Sequence, residues 1–191
     1  MKNIFTIIST MRRFLLILLL TTPSLSWADN LFGMKIGSNV IDYFEFSDVF
    51  KESDVYGQQH GLEYFIADVT DLMDSTDKSP YFSQYSIVYD SSATIHQVAA
   101  LKEYVDKDRC ADVGATVASK ISDKLNVKLL NQGKYTFPER DLYFVYDNLD
   151  IREDFGAGVY CNNYLDTGPE MFLFVSSAEL RKTVKKYYNK F

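Results

Sequence analysis

The sequence is poor in the residue types on which metal sites and covalent catalysis depend. It contains two histidines, His60 and His96, and two cysteines, in 191 residues. No His-Glu-x-x-His segment is present, so the two-histidine spacing of a zinc enzyme is missing, and we expect no metal site. A lone histidine can still serve a serine and an acid that meet in space, but no Gly-x-Ser-x-Gly elbow accompanies either one.

Phosphate-binding loops and a basic surface are also lacking. The nine glycines form neither a Gly-x-Gly-x-x-Gly segment nor a Gly-Lys-Ser/Thr segment, so we expect no nucleotide cofactor, and no other cofactor is indicated. The chain has 26 acidic and 20 basic residues, a formal net charge of −6. An acidic protein is repelled by phosphate backbones, which excludes nucleic acid as the expected partner.

The most specific segment is the N-terminus, where Arg12 and Arg13 precede the run LLILLLTTPSLSWADN. A charged start, a short apolar stretch and a small-x-small site describe a secretory signal peptide over residues 1–28. We predict cleavage between Ala28 and Asp29 and a product in the periplasm or secreted. The apolar stretch is too short to span a bilayer, and no membrane span is expected after its removal. Translation from Met11 in place of Met1 would leave a complete signal.

The predicted export determines the expected chemical state of the two cysteines. In an oxidising compartment an isolated pair is expected to form a disulfide, so we predict a bond between Cys110 and Cys161. A redox-active pair is the weaker alternative, because catalytic exchange usually relies on closely spaced cysteines. Removing Lys2, Arg12 and Arg13 with the signal leaves 17 basic and 26 acidic residues, so the mature chain carries a net charge of −9.

The mature chain, residues 29–191, predicts a single α+β domain. The runs YFSQYSIVYD and TIHQVAALKEY flank the polar turn Ser91-Ser92-Ala93 and predict an antiparallel hairpin. We expect one face of the first strand to carry Tyr85, Ile87 and Tyr89. Across the turn, we expect one face of the second strand to carry Ile95, Ala99 and Leu101. A helix follows, with Asp108 as its cap and an apolar stripe at every fourth position: Val113, Val117, Ile121 and Leu125.

Three strands and a terminal helix complete the pattern. The strands fall at Leu142 to Tyr146, around Cys161, and in PEMFLFVSS, which is apolar on both faces and therefore central or covered. Ser176 and Glu179 predict a capping box, and Leu180 and Val184 begin the apolar face of the last helix. Its basic residues are expected on a solvated face, with docking to an acidic partner or a lipid surface as the alternative: Arg181, Lys182, Lys185, Lys186 and Lys190. Together these elements predict two main helices packed on one face of a largely antiparallel sheet.

Carboxylates cluster twice, around Asp71 to Asp77 and around Asp147 to Asp154. Neither cluster has the alternating spacing and glycine of a calcium loop, so solvated loops are expected. Paired acids for glycoside hydrolysis would have to be brought together by the fold, since their separation is spatial.

The signal, the FGMKIGSNV opening, the tyrosine-rich hairpin and the two cysteines together resemble small exported bacterial proteins of unknown function. The Gly-Met-x-x-Gly start also resembles outer-membrane assembly lipoproteins of the BamE type, although no cysteine follows the signal. Export, the predicted disulfide and the lack of a catalytic constellation favour a non-enzymatic module of the cell envelope that binds a protein or a small molecule. The alternative is a small exported hydrolase using His60 or His96 with nearby acids.

Overall fold

A computed structural model describes residues 30–56, 63–136, 140–149, 154–164 and 168–188. The predicted signal peptide, its cleavage site at Ala28 and Asp29, and His60 lie outside the described residues. Within them, no helix is long and apolar enough to cross a membrane.

The described part of the chain forms a two-stranded hairpin and a nine-stranded antiparallel sheet. The hairpin pairs β1 (Asn30–Leu31) with β2 (Met34–Lys35). The sheet strands, in chain order, are β3 (Ser53–Tyr56), β4 (Tyr64–Asp68), β5 (Gln84–Asp90), β6 (Ile95–Glu103), β7 (Leu130–Asn131), β8 (Tyr135–Thr136), β9 (Arg140–Asn148), β10 (Phe155–Tyr164) and β11 (Gly168–Ser177). Their spatial order is β3-β4-β5-β6-β11-β10-β9-β7, with β8 also paired to β9. The strand that is apolar on both faces, β11, is central, as predicted.

In the described part of the chain, three α-helices accompany the sheet. The short α1 (Phe46–Lys51) precedes β3, the long α2 (Lys107–Leu125) follows β6, and α3 (Ala178–Tyr188) follows β11. A 3-10 turn at Val40–Asp42 is capped by Asn39. The Asn39 side chain accepts from the backbone N–H of Ile41, which satisfies a donor at the start of the turn.

The predicted β5–β6 hairpin is confirmed, but its register is irregular. Tyr85, Ile87 and Tyr89 are buried on the core face, as expected. A register shift between Val88 and Tyr89 changes which β6 residues face the same way. Ile95 reaches the core together with Val98 and Ala100, in place of the predicted Ala99 and Leu101. A bulge of this kind cannot be read from strict alternation, because one extra residue reverses the faces beyond it.

Helix α2 packs its predicted apolar stripe against the sheet and is fixed to it covalently. Its cap is Asp106, whose carboxylate accepts from the Arg109 N–H at 2.7 Å, so the prediction of Asp108 is two residues late. Cys110 in the first turn bonds Cys161 on β10, with Cα atoms 6.1 Å apart. This bond confirms the predicted disulfide. Both cysteines are fully buried, so the disulfide lies inside the main core.

Helix α3 lies on the opposite face of the sheet from α2. Along β11, Met171, Leu173 and Val175 belong to the main core, and Leu173 shares a cavity with α2. The alternate residues of β11 share a cavity with α3. The single antiparallel α+β domain with two main helices and a disulfide is therefore confirmed, but the expected packing of both helices on one face is not. Both faces of β11 are apolar because each is covered by a different helix.

Candidate functional site

A cavity lies between α3 and the sheet, and we call it the α3 groove. It has a volume of about 550 Å³. Its described lining comes from six strands, the residue that follows β9 and the helix: Tyr56, Ile66, Ser86, Gln97, Leu149, Tyr160, Phe172, Phe174, Ser176, Leu180, Arg181, Val184 and Lys185. The cavity is within the range of small-molecule sites, about 300 to 1,000 Å³.

Aromatic rings of β10 and β11 form the floor of the α3 groove. Phe172 and Phe174 are stacked with ring centroids 5.6 Å apart, and Tyr160 meets Phe174 edge-on at 5.3 Å. Gly158 has no side chain beneath them, and a Cβ there would lie 2.7 Å from the Phe174 ring. The glycine therefore allows the aromatic floor to lie flat against β10.

Helix α3 supplies the wall of the groove and two cations. Leu180 is buried and Val184 is half-buried, and together with Ile66 they give the groove an apolar interior. Arg181 is only 9% exposed, and its Nη1 donates to the Ser176 carbonyl oxygen at 2.5 Å. Lys185 is exposed and lines the groove one turn later. Arg181 is thus not on the solvated face that the sequence suggested, because its long side chain folds back over the strand.

Ser176 places a hydroxyl in the wall of the groove with no obvious use in the fold. The residue is 2% exposed, and among the described residues its Oγ has no hydrogen-bond partner. A buried hydroxyl without a partner costs free energy, about 1 to 3 kcal/mol in proteins. A ligand atom in the groove would be able to satisfy it.

Tyr160 joins the groove to a buried carboxylate. Its hydroxyl donates to Asp147 Oδ2 at 2.8 Å, while the Gln132 amide donates to Oδ1 at 3.0 Å. Burial, reinforced by the negative charge of Asp147, raises the pKa of Tyr160 far above its ordinary value. Tyr160 is therefore a neutral hydrogen-bond donor at any physiological pH, and both Asp147 oxygens accept bonds from within the protein.

A second group of polar side chains lies where β11 passes into α3. Ser177 Oγ is 3.0 Å from His96 Nδ1, and His96 Nε2 is 3.1 Å from Asp90 Oδ2. The edge-to-face ring of Tyr64 covers the imidazole, which is 5% exposed. The fold thus brings together a serine, a histidine and an aspartate, the types that a hydrolytic triad uses.

The same contacts have a structural explanation. Ser177 Oγ accepts from the Leu180 N–H at 3.1 Å, so it is the N-cap of α3, one residue later than the predicted Ser176. Asp90 closes the β5–β6 turn by accepting from the Ser92 and Thr94 N–H groups, both at 2.9 Å. Burial alone would raise the pKa of Asp90, but these bonds and the one from His96 hold it below its ordinary value. His96 therefore ties a turn to a helix start.

None of the three triad-type residues is in the described lining of the α3 groove or of the two smaller cavities of about 390 and 340 Å³. A hydrolase needs a space in which a carbonyl group meets the serine and hydrogen-bond donors for the developing oxyanion. The group Ser177, His96 and Asp90 accordingly fits a structural role better than a catalytic one.

A smaller cavity of about 340 Å³ continues from the α3 groove across the same sheet face. It shares Ile66, Ser86 and Phe172 with the groove. Its outer lining is acidic and exposed, with Glu52, Asp54 and Asp68. The sheet face therefore runs from a basic end under α3 to an acidic end near β3.

The sequence pointed to single residues of these sites but not to the sites themselves. His96 was named as a candidate, and its partner Ser177 was not. The apolar β11 was noted, but its contribution to a groove was not. Among the described residues, the acidic clusters form no group of three or more side chains that could hold a metal ion.

Comparison of the chain with protein-family models, curated proteins and solved structures finds no match.

Proposed function

We propose that this protein is an exported, non-enzymatic binding protein that holds an apolar small molecule in the α3 groove. The observation that carries the proposal is the groove itself: about 550 Å³ of mostly apolar space outside the main core. Burying an alkyl chain against Ile66, Phe172 and Val184 would release about 25 cal/mol for each Å² of apolar surface removed from water.

Export is the second part of the proposal. The buried disulfide between Cys110 and Cys161 is compatible with an extracytoplasmic protein, because such bonds persist in oxidising compartments. The N-terminal pattern supports delivery to the periplasm or the medium with cleavage after Ala28. The intact mass of the protein recovered from the periplasm should correspond to a chain starting at Asp29. A mass that still includes Trp27 would contradict this cleavage site.

Binding is tested by calorimetric titration of the purified protein with decanol, a neutral single-chain probe. The wild type should bind it, and Val184→Trp should weaken binding at least about tenfold, because the indole would occupy the groove. Lys182→Trp is the matched control, since Lys182 is exposed on the same helix and does not line the groove. Absence of binding by the wild type, or equal binding by Val184→Trp, would refute the proposal.

A hydrolase is the second candidate, and the contact between Ser177 and His96 is the observation that favours it. An active serine of this kind is labelled by a fluorophosphonate, and Ser177→Ala would abolish the labelling. We expect the folded wild-type protein to remain unlabelled, because the serine caps α3 and the imidazole is covered. Labelling that depends on Ser177 and on His96 would establish the hydrolase in place of the non-enzymatic role.

A further inference from the structure

The charged side chains in the described lining of the α3 groove are basic. Its described lining contains Arg181 and Lys185 and no carboxylate. The chain as a whole is acidic, with a net charge of −6. The two basic side chains beside the apolar cavity are therefore opposite in sign to the net charge of the chain. Positive charge beside an apolar space is complementary to a molecule that has both an anionic group and an apolar part.

The geometry under α3 offers directed bonds in addition to charge. Arg181 Nη1 donates to the Ser176 carbonyl oxygen, and both residues line the groove. The Ser176 hydroxyl is buried and has no partner among the described residues. An anionic oxygen in this corner would accept from Ser176 and lie within the field of both cations, and such charge-assisted bonds are stronger than neutral ones.

The far end of the sheet face determines the direction in which such a molecule lies. Glu52, Asp54 and Asp68 line the adjoining cavity, and their carboxylates would repel an anionic group placed there. The apolar residues shared by the two cavities, Ile66 and Phe172, lie between the acidic end and the basic end. The chain of the ligand would therefore cover them while its head stays under α3.

From these observations we propose that the ligand is a free single-chain amphiphile with an anionic head, bound with the head at Ser176, Arg181 and Lys185. The inference rests on the proposed function, since it names the class of molecule that the groove takes. It commits to a dissolved molecule and not to a bilayer surface, because Ser176 and Arg181 are buried and beyond the reach of lipid heads that remain in a membrane.

The test compares decanoate with decanol, which share an alkyl chain and differ in the head. The wild type should bind decanoate about tenfold more tightly than decanol. Lys185→Gln should weaken decanoate binding about threefold and weaken decanol binding less, since the main change is the loss of a positive charge. Lys182→Gln, the matched control, should change neither affinity, because Lys182 points away from the groove lining.

The outcomes separate this inference from the function on which it rests. Equal binding of decanol and decanoate by the wild type would overturn the anionic head and leave the apolar binding function intact. Equal weakening of decanoate binding by Lys182→Gln and Lys185→Gln would also overturn it, because a local head site would then be excluded. Failure of both probes to bind would remove the proposed function itself. Co-sedimentation with anionic phospholipid vesicles, without binding of dissolved decanoate, would replace the free amphiphile with a membrane surface.

Discussion

Ser176 and Ser177 are adjacent in the chain, yet their hydroxyls are in opposite situations. Ser177 Oγ accepts from Leu180 N–H at 3.1 Å and lies 3.0 Å from His96 Nδ1. Ser176 Oγ has no hydrogen-bond partner among the residues described. One serine holds the start of α3 in place, and the other faces the α3 groove.

This contrast predicts opposite effects of two alanine substitutions on the free energy of unfolding. Ser177→Ala removes the N-cap and one partner of His96, and should destabilise the protein by about 1 to 3 kcal/mol. Ser176→Ala removes a buried hydroxyl that has no described partner, and should be neutral within about 0.5 kcal/mol, or stabilising. Urea unfolding of both variants without ligand measures the difference. Equal destabilisation by the two substitutions would contradict these roles.

Asp90 should make the stability of the protein depend on acid pH. Its pKa is lowered in the folded state from an ordinary value of 3.8, so the ionised form is favoured by folding. The stabilisation is fully present above 3.8 and is lost as the pH falls through the lower folded-state pKa. Asp90→Asn should therefore cost about 1 to 2 kcal/mol near neutral pH and progressively less below the ordinary pKa.

Urea unfolding of wild type and Asp90→Asn across this acidic range tests the prediction. Asp68→Asn serves as a control, because Asp68 is an exposed carboxylate on the neighbouring strand β4. A penalty for Asp90→Asn that stays constant down to the most acidic pH would show that the ionised carboxylate has no special part in the turn.

The buried disulfide should contribute a large share of the stability. Joining residues separated by 51 positions restricts the unfolded chain, which corresponds to about 4 kcal/mol on the chain-entropy model. The double substitution Cys110→Ala and Cys161→Ala should lower the free energy of unfolding by an amount of this order. Reductant should lower the melting temperature of the wild type and leave the double variant unchanged. Two free thiols in denatured, unreduced protein from the periplasm would contradict the bond.

Local pattern was sufficient to predict much of the fold. Alternation at Tyr85, Ile87 and Tyr89 located the hairpin, and the four-residue spacing of Val117, Ile121 and Leu125 located α2 and its buried side. These signals depend on neighbours in sequence, which is why they were readable. The disulfide was predicted from the expected export and from the cysteine count alone, since the chain contains two cysteines.

The relation of α3 to the sheet was beyond local pattern. An apolar stripe at Leu180 and Val184 shows that one side of a helix is covered, but not which face of a sheet covers it. The two apolar faces of β11 were the available signal, because a strand apolar on both sides needs a cover on each. The groove itself depends on Gly158 and on pairing between strands far apart in sequence, and no short segment contains that information.

The central claim is tested most directly by locating the alkyl chain of a bound ligand on the protein. In nuclear magnetic resonance spectra of methyl-labelled protein with decanoate, contacts should appear from the alkyl protons to the methyl groups of Ile66, Leu180 and Val184. The methyl groups of Val117 and Ile121 under α2, on the opposite face of the sheet, should show none. Contacts to the α2 side and none to the α3 groove would contradict the proposed binding site.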